Sequence, residues 1–207
     1  MLVTEIIPFD KKRSKIFIDY EYAFLLYKGE IRNYSLKHGE EISEEIYDEI
    51  MKEVLIKRVR LRAMNLLQKM DYTEYKLRAK LTDGCYPKSC IDDALEYVKK
   101  YHYIDDNRYA KDYVAYYIDK RSKGRITTDL VKRGIAKDII SSVMEDLYDN
   151  ADPNIEIIQA CHLLEVKHYD QNSADDATKR KLAAFLYRKG FNGDVIWKAL
   201  SLDSDDY

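Results

Sequence analysis

Residues that break regular structure are scarce in this chain. Among 207 residues there are 7 glycines and 3 prolines, so few positions demand an unusual backbone and helices are permitted over most of the length. Cysteine is equally sparse. Cys85, Cys90 and Cys161 are odd in number and lack the spacing of a disulfide or zinc framework. No apolar run approaches the ~18 residues of a membrane-spanning helix, and the first residues lack the apolar segment of a signal peptide, so a cytoplasmic protein is expected. A positive excess is missing too: 35 Lys and Arg face 37 Asp and Glu, for a formal charge of −2. That excludes a protein that grips DNA through many phosphates over its whole surface. Any nucleic-acid contact has to be local.

What is present is a foldable helical chain. Hydrophobic residues make up 46% of it and charged residues 35%, which is enough for a core and too apolar for wholesale disorder. The 19 tyrosines suit thin cores, because the ring fills an edge while the hydroxyl stays wet. Genome composition explains the same count.

One apolar pattern occurs three times. Leu81, Tyr86, Ile91, Ala94 and Leu95 are answered by Leu130, Ile135, Ile140, Val143 and Met144, and again by Leu186, Phe191, Ile196, Ala199 and Leu200. A recurrence of about 50 residues is the mark of stacked repeat units. Each copy reads as a helix end, a tight turn and a helix start. Gly84, Gly134 and Gly190 stand just before the turn anchors, where a helix stops on a left-handed residue. The expected architecture is mainly α: tandem three-helix repeats forming an elongated body behind a small N-terminal β-rich segment.

Texture along the chain divides it. Residues 1–42 hold short β-branched runs around Leu2–Ile7, Lys15–Asp19 and Tyr22–Tyr27, expected as a small antiparallel sheet. Residues 43–60 form a linking helix opened by Ser43 with Glu44 and Glu45. Its apolar stripe, Ile46, Ile50 and Val54, then slips to Val59 and Ala63, which fits one kinked helix or two shorter ones. Helical repeats follow at 61–104, 105–152 and 153–202, and 203–207 form an acidic tail.

Between the first two repeats runs Tyr103-Ile104-Asp105-Asp106-Asn107-Arg108-Tyr109-Ala110. Physically this is a helix start: Asp105 can cap the orphan amides, Asp106 answers the positive helix end, and Arg108 can pair with Asp105. The segment resembles the hallmark of the RecX family, regulators of the bacterial recombinase RecA: a tyrosine or leucine, then Ile/Leu-Asp-Asp-x-Arg-Phe/Tyr-Ala. Ile16–Phe24 and Leu36–Ser43 resemble the extra N-terminal segment of Firmicute-type members, and Arg121–Ile126 resembles the family's turn in the second unit. The sequence departs in the first unit, where Tyr72-Thr73 replaces an Arg-Ser pair and the turn glycine is displaced to leave Cys85 beside Tyr86.

The resemblance implies a modulator rather than an enzyme. Such proteins lie in the groove of the RecA–single-stranded-DNA filament and damp ATPase, strand exchange and co-protease activity. They belong to DNA repair, recombination and the SOS response. It implies a monomer with no cofactor, a RecA filament as partner and at most weak direct DNA contact. The alternatives are a DNA-binding regulator of the helix-turn-helix type and a scaffold subunit for another helical polymer. The first is opposed by acids on each third helix (Asp92, Asp93 and Glu96; Asp138, Glu145 and Asp146; Asp194), which phosphates repel.

Candidate contact residues are basic clusters at helix ends. Lys120, Arg121, Lys123 and Arg125 place four cations around Gly124, a concentrated target for phosphate or an acidic surface. The Lys57–Arg62 stretch, with Arg58, Arg60 and Arg62, is second, and Lys132 with Arg133 and Lys179, Arg180 and Lys181 are the remaining clusters. For each one alone, a solvated side chain answering the helix dipole is the commoner role. Asp105, Asp106, Arg108 and Tyr109 are read as a structural cap. Cys161 with His162 and His168 lacks a fourth zinc ligand, and Cys161 falls on an apolar face. Trp197 is expected in the core. No phosphate loop, nucleophile elbow or catalytic triad order is legible, so neither a catalytic site nor a metal site is expected.

Overall fold

The computed structural model describes residues 1–149 and 151–201; the expected acidic tail, 203–207, lies outside them. The chain forms two compact units, Met1–Asp105 and Asp106 onward.

The first unit begins with an antiparallel three-stranded sheet in sequential order, β1 (Val3–Pro8), β2 (Arg13–Ile18) and β3 (Glu21–Tyr27). Strict alternation along β2 sends Ser14, Ile16 and Ile18 inward and leaves Arg13, Lys15 and Phe17 on the other face. A register shift between Ile16 and Phe17 re-aims the end of the β2–β3 ladder. The short α1 (Lys28–Asn33) follows, with Glu30 accepting the Tyr27 backbone N–H at 2.8 Å.

From α2 (Glu44–Glu49), capped by Ser43, the chain stays helical through a π-turn segment at Ile50–Ile56 and on into α3 (Lys57–Leu67). The π segment explains the slip of the apolar stripe. One wider turn absorbs an extra residue, so Ile50 and Leu55 face the same core as Val59, Ala63 and Leu66. Thr73 accepts the Lys76 N–H to cap α4 (Glu74–Thr82), and Pro87 precedes α5 (Lys88–Lys100). Ile16, Phe24 and Leu26 of the sheet join Ile50, Leu77, Leu81 and Leu95 in one core.

The second unit holds two three-helix sets. These are α6 (Asp106–Tyr117), α7 (Lys123–Lys132) and α8 (Lys137–Asp149), then α9 (Ile155–Glu165), α10 (Asp176–Arg188) and α11 (Gly193–Ser201). Each has its own core, Val114, Ile126, Leu130 and Val143 in one and Cys161, Leu186, Phe191 and Ile196 in the other.

Gly134 and Gly190 take the left-handed backbone expected at the repeat turns. Gly84 does not. At this turn of the first repeat the left-handed residue is Cys85, at φ 57°, one position later. Tyr86 folds back over Gly84 so closely that a methyl group there would lie 2.6 Å from its ring. A second expectation also fails: Trp197 is 70% exposed. Ile196 and Ala199 set the buried stripe of α11, and a residue one step after Ile196 turns about 100° away from it.

Candidate basic groove in the second unit

The turn between α6 and α7 is built around a buried acid. Asp129, on the second turn of α7, has a side chain only 8% exposed. A carboxylate out of water needs partners, and it has three. Arg121 Nη1 donates to it at 2.7 Å, the Tyr113 hydroxyl donates at 3.2 Å, and Arg125 Nε lies 3.3 Å away. Arg121 also reaches the Tyr113 hydroxyl at 3.0 Å and lies over the Tyr117 ring at 3.8 Å. Burial pushes the Tyr113 phenol above its ordinary value, so it stays a neutral donor. Arg133 completes the cluster: it donates to the Asp129 carbonyl at 3.0 Å and to the Tyr109 hydroxyl at 3.2 Å, and covers the Tyr113 ring at 4.4 Å.

The same turn is pinned to the third three-helix set. Ser122 accepts the Arg125 N–H to cap α7 and donates its hydroxyl to the Lys189 carbonyl at 2.7 Å. Glu156 accepts the Lys123 N–H at 2.9 Å, and the Gln159 amide donates to the Ile118 carbonyl. Gly124 and Gly190 meet backbone to backbone, with room for no side chain at either position.

Beside this seam opens a groove of about 860 Å³. Lys120, Arg121 and Arg125 line it from the α6–α7 turn, and Arg188 and Lys189 from the end of α10. Leu163, Phe185 and Phe191 supply apolar wall, and Asp119 is the one carboxylate on the lining among the described residues. The arrangement can hold an anion or an acidic protein segment. Among the described residues of the lining, the Ser122 hydroxyl donates to the Lys189 carbonyl and His162 faces Glu165, so neither is shown in a nucleophile–base pair.

The sequence candidates therefore separate. Lys120, held 3.6 Å over the exposed Tyr116 ring, and Lys123, 4.9 Å from the Tyr148 ring, present their charge at the surface. Arg121 and Arg133 are committed to the Asp129 cluster, and Arg125 shares it while half exposed. Lys132 is exposed on α7. In the first unit, Arg58 pairs with Glu30 under the Tyr27 ring, and Arg60 makes a two-point pair with Asp93 at 2.6 and 2.9 Å. Arg62 is exposed. Asp105 stands just before α6, Asp106 and Arg108 lie in its first turn, and Tyr109 takes the bond from Arg133.

Asp129, Arg188 and Lys189 were not legible as site residues. The spacing Arg125-x3-Asp129-x3-Arg133 was a usable signal, since residues four apart share a helix face. His162 and Cys161 do not converge: Cys161 is buried, whereas exposed His162 faces Glu165 at 3.3 Å.

Residues 105–144 match the model of the RecX second three-helix domain, and residues 156–200 match that of the third. The regulatory protein RecX of Caldanaerobacter subterraneus subsp. tengcongensis is 33% identical over 204 residues, covering 98% of this chain and all of that one. The chain belongs to the RecX family. RecX of Clostridium beijerinckii is 31% identical over 217 residues, with 100% and 99% coverage. A crystal structure of regulatory protein RecX shares the fold at a TM-score of 0.63, with 94% and 96% of the two chains covered and 23% identity. RecX from Lactobacillus salivarius aligns at 0.60 over 70% of this chain and 94% of its own, at 21% identity. The RecX hallmark segment, Tyr103–Ala110, thus forms the junction into α6, the helix whose far end carries the basic turn. Among the described residues, no helix is long and apolar enough to cross a membrane.

Proposed function

We propose that this RecX-family protein modulates, and mainly inhibits, the RecA recombinase by lying in the groove of the RecA–single-stranded-DNA filament. Damped ATPase, strand exchange and co-protease activity are the consequences, and the cytoplasm is the place of action. The observation that carries the reading is the groove beside the second and third three-helix sets. Five cations from two successive repeats converge there on an apolar wall, a chemistry suited to an acidic protein surface or to phosphates. Repeated weak contacts along a polymer add by avidity, so a net charge of −2 is no obstacle.

The helix-turn-helix alternative finds less support. Glu96, Asp138, Glu145, Asp146 and Asp194 are exposed on the third helices, where a recognition helix needs cations or neutral donors.

The test is the DNA-dependent ATPase of RecA on single-stranded DNA, titrated with this protein. The proposal expects inhibition well below one protein per recombinase. An unchanged ATPase together with tight, sequence-dependent duplex binding would overturn it in favour of the regulator.

A further inference from the structure

We propose that the outer face of the β1–β3 sheet, with the α4–α5 turn and the exposed side of α3, binds single-stranded nucleic acid. Cations would meet its phosphates, and half-exposed rings its bases.

The face is built by strand alternation. Arg13, Lys15 and Phe17 leave the core side of β2 and lie opposite Tyr27, Leu25 and Tyr22 of β3. Lys15 Nζ sits between two rings, 5.3 Å from the centroid of Phe9 and 6.0 Å from that of Tyr22. The Arg13 guanidinium lies 5.1 Å from Phe9, and Phe17 meets Tyr22 edge to face at 5.8 Å. Phe9, Tyr22 and Tyr27 stay 40–44% exposed.

The α4–α5 turn extends the surface. The Tyr22 hydroxyl donates to the Cys85 carbonyl at 2.5 Å, which sets Tyr86 beside the sheet. The Tyr86 phenol feels the charges of Arg58, Arg62 and Arg13, while burial drives its pKa up against them. Strand, turn and helix thus present one continuous surface.

Its cations are not all spent. Arg13 pairs with Asp10 and Arg58 with Glu30. Lys11, Lys12, Lys15 and Arg62 have no carboxylate at salt-bridge distance among the described residues, and the segment Phe9–Lys15 carries four cations against one acid. Glu5, opposite Phe17, makes the other end of the face acidic, so the phosphate track belongs at the Arg13–Lys15 end. An acidic protein would satisfy the charges alone. A single strand satisfies charges and rings together, since bases stack on aromatics without sequence preference.

Anisotropy of a labelled oligothymidylate with the full chain, followed through a salt titration, tests this without any recombinase. Its failure would therefore leave the filament reading standing. Lys15→Ala with Arg62→Ala should weaken binding at least tenfold at low salt. The same pair should flatten the slope of log K against log salt by roughly 1.4, two phosphates at about 0.7 each on single strands. Phe9→Ala should lower affinity with the slope unchanged. Unaltered affinity and slope in the Lys15/Arg62 variant would overturn the proposal. So would loss of binding to DNA-free recombinase in that variant with oligonucleotide binding intact, which makes the face a protein contact.

Discussion

Arg121 donates a 2.7 Å hydrogen bond to the buried carboxylate of Asp129, and this pairing turns one of four clustered surface cations into an internal support. Arg121 is about a third exposed and its partner nearly buried. The bond therefore holds the shape of the α6–α7 turn, while Lys120 and Lys123 on either side carry the outward charge.

Replacing Asp129 with Ala strands Arg121 and the Tyr113 hydroxyl. Breaking a fully buried pair costs about 3–5 kcal/mol, and Arg121 can still reach water, so a loss of about 2 kcal/mol is expected by urea denaturation. Arg125→Ala, which removes a half-exposed and longer contact, should fall within about 0.5 kcal/mol of the parent. Equal effects from the two changes would deny Asp129 its central place.

The groove makes a prediction about inhibition. Lys120→Ala, Arg188→Ala and Lys189→Ala combined should weaken filament inhibition with little change in melting temperature, because all three side chains line the groove, are exposed and have no carboxylate at salt-bridge distance among the described residues. Adding Arg121→Ala should lower both, since it also empties the Asp129 cluster. Full inhibition by the triple variant would remove the groove from the mechanism.

Gly124 tests the seam. In an open helix Gly→Ala stabilises by about 1 kcal/mol. Here the new methyl carbon would lie 2.4 Å from the Gly190 carbonyl oxygen, and overpacking against backbone costs about 1–3 kcal/mol. Net destabilisation is expected in thermal melts. Gly29→Ala meets nothing within 4 Å and provides the comparison.

The alkaline limb of stability should show the buried Cys90 thiol and the half-exposed Tyr22 phenol, whose hydroxyl is held on the Cys85 carbonyl. Burial pushes Cys90 up to about 11 from 9.0, and Tyr22 up to about 12 from 10.0. The unfolded chain releases these protons at lower pH than the folded one, so stability is complete below about pH 9. It falls as pH rises towards 11 and 12. At pH 8 a thiol reagent should modify partly exposed Cys85 quickly, and buried Cys90 and Cys161 only on unfolding. Three fast equivalents would contradict this burial.

Sequence reading worked best where period and chemistry coincide. Ser43 caps the helix it was expected to open, and the β-branched runs are the strands. These follow from short-range rules: alternation, a 3.6-residue stripe, an oxygen near orphan amides. The slip from Val54 to Val59 was visible, but a π segment and a break between two helices produce the same spacing.

Membership of three-helix repeats, the left-handed turns at Gly134 and Gly190, and the existence of a basic turn were determined by the amino-acid sequence alone, because each depends on neighbours within a few residues. Tertiary structure decided the rest. It shifted the left-handed turn of the first repeat to Cys85, since Tyr86 closes over Gly84. It left Trp197 in solvent, and it drew Arg188 and Lys189 from some 65 residues away to the Lys120–Arg125 turn. Whether a charge is spent inward, as at Arg121, or offered outward, as at Lys120, depends on which buried group needs it. That group comes into place only when the helices pack.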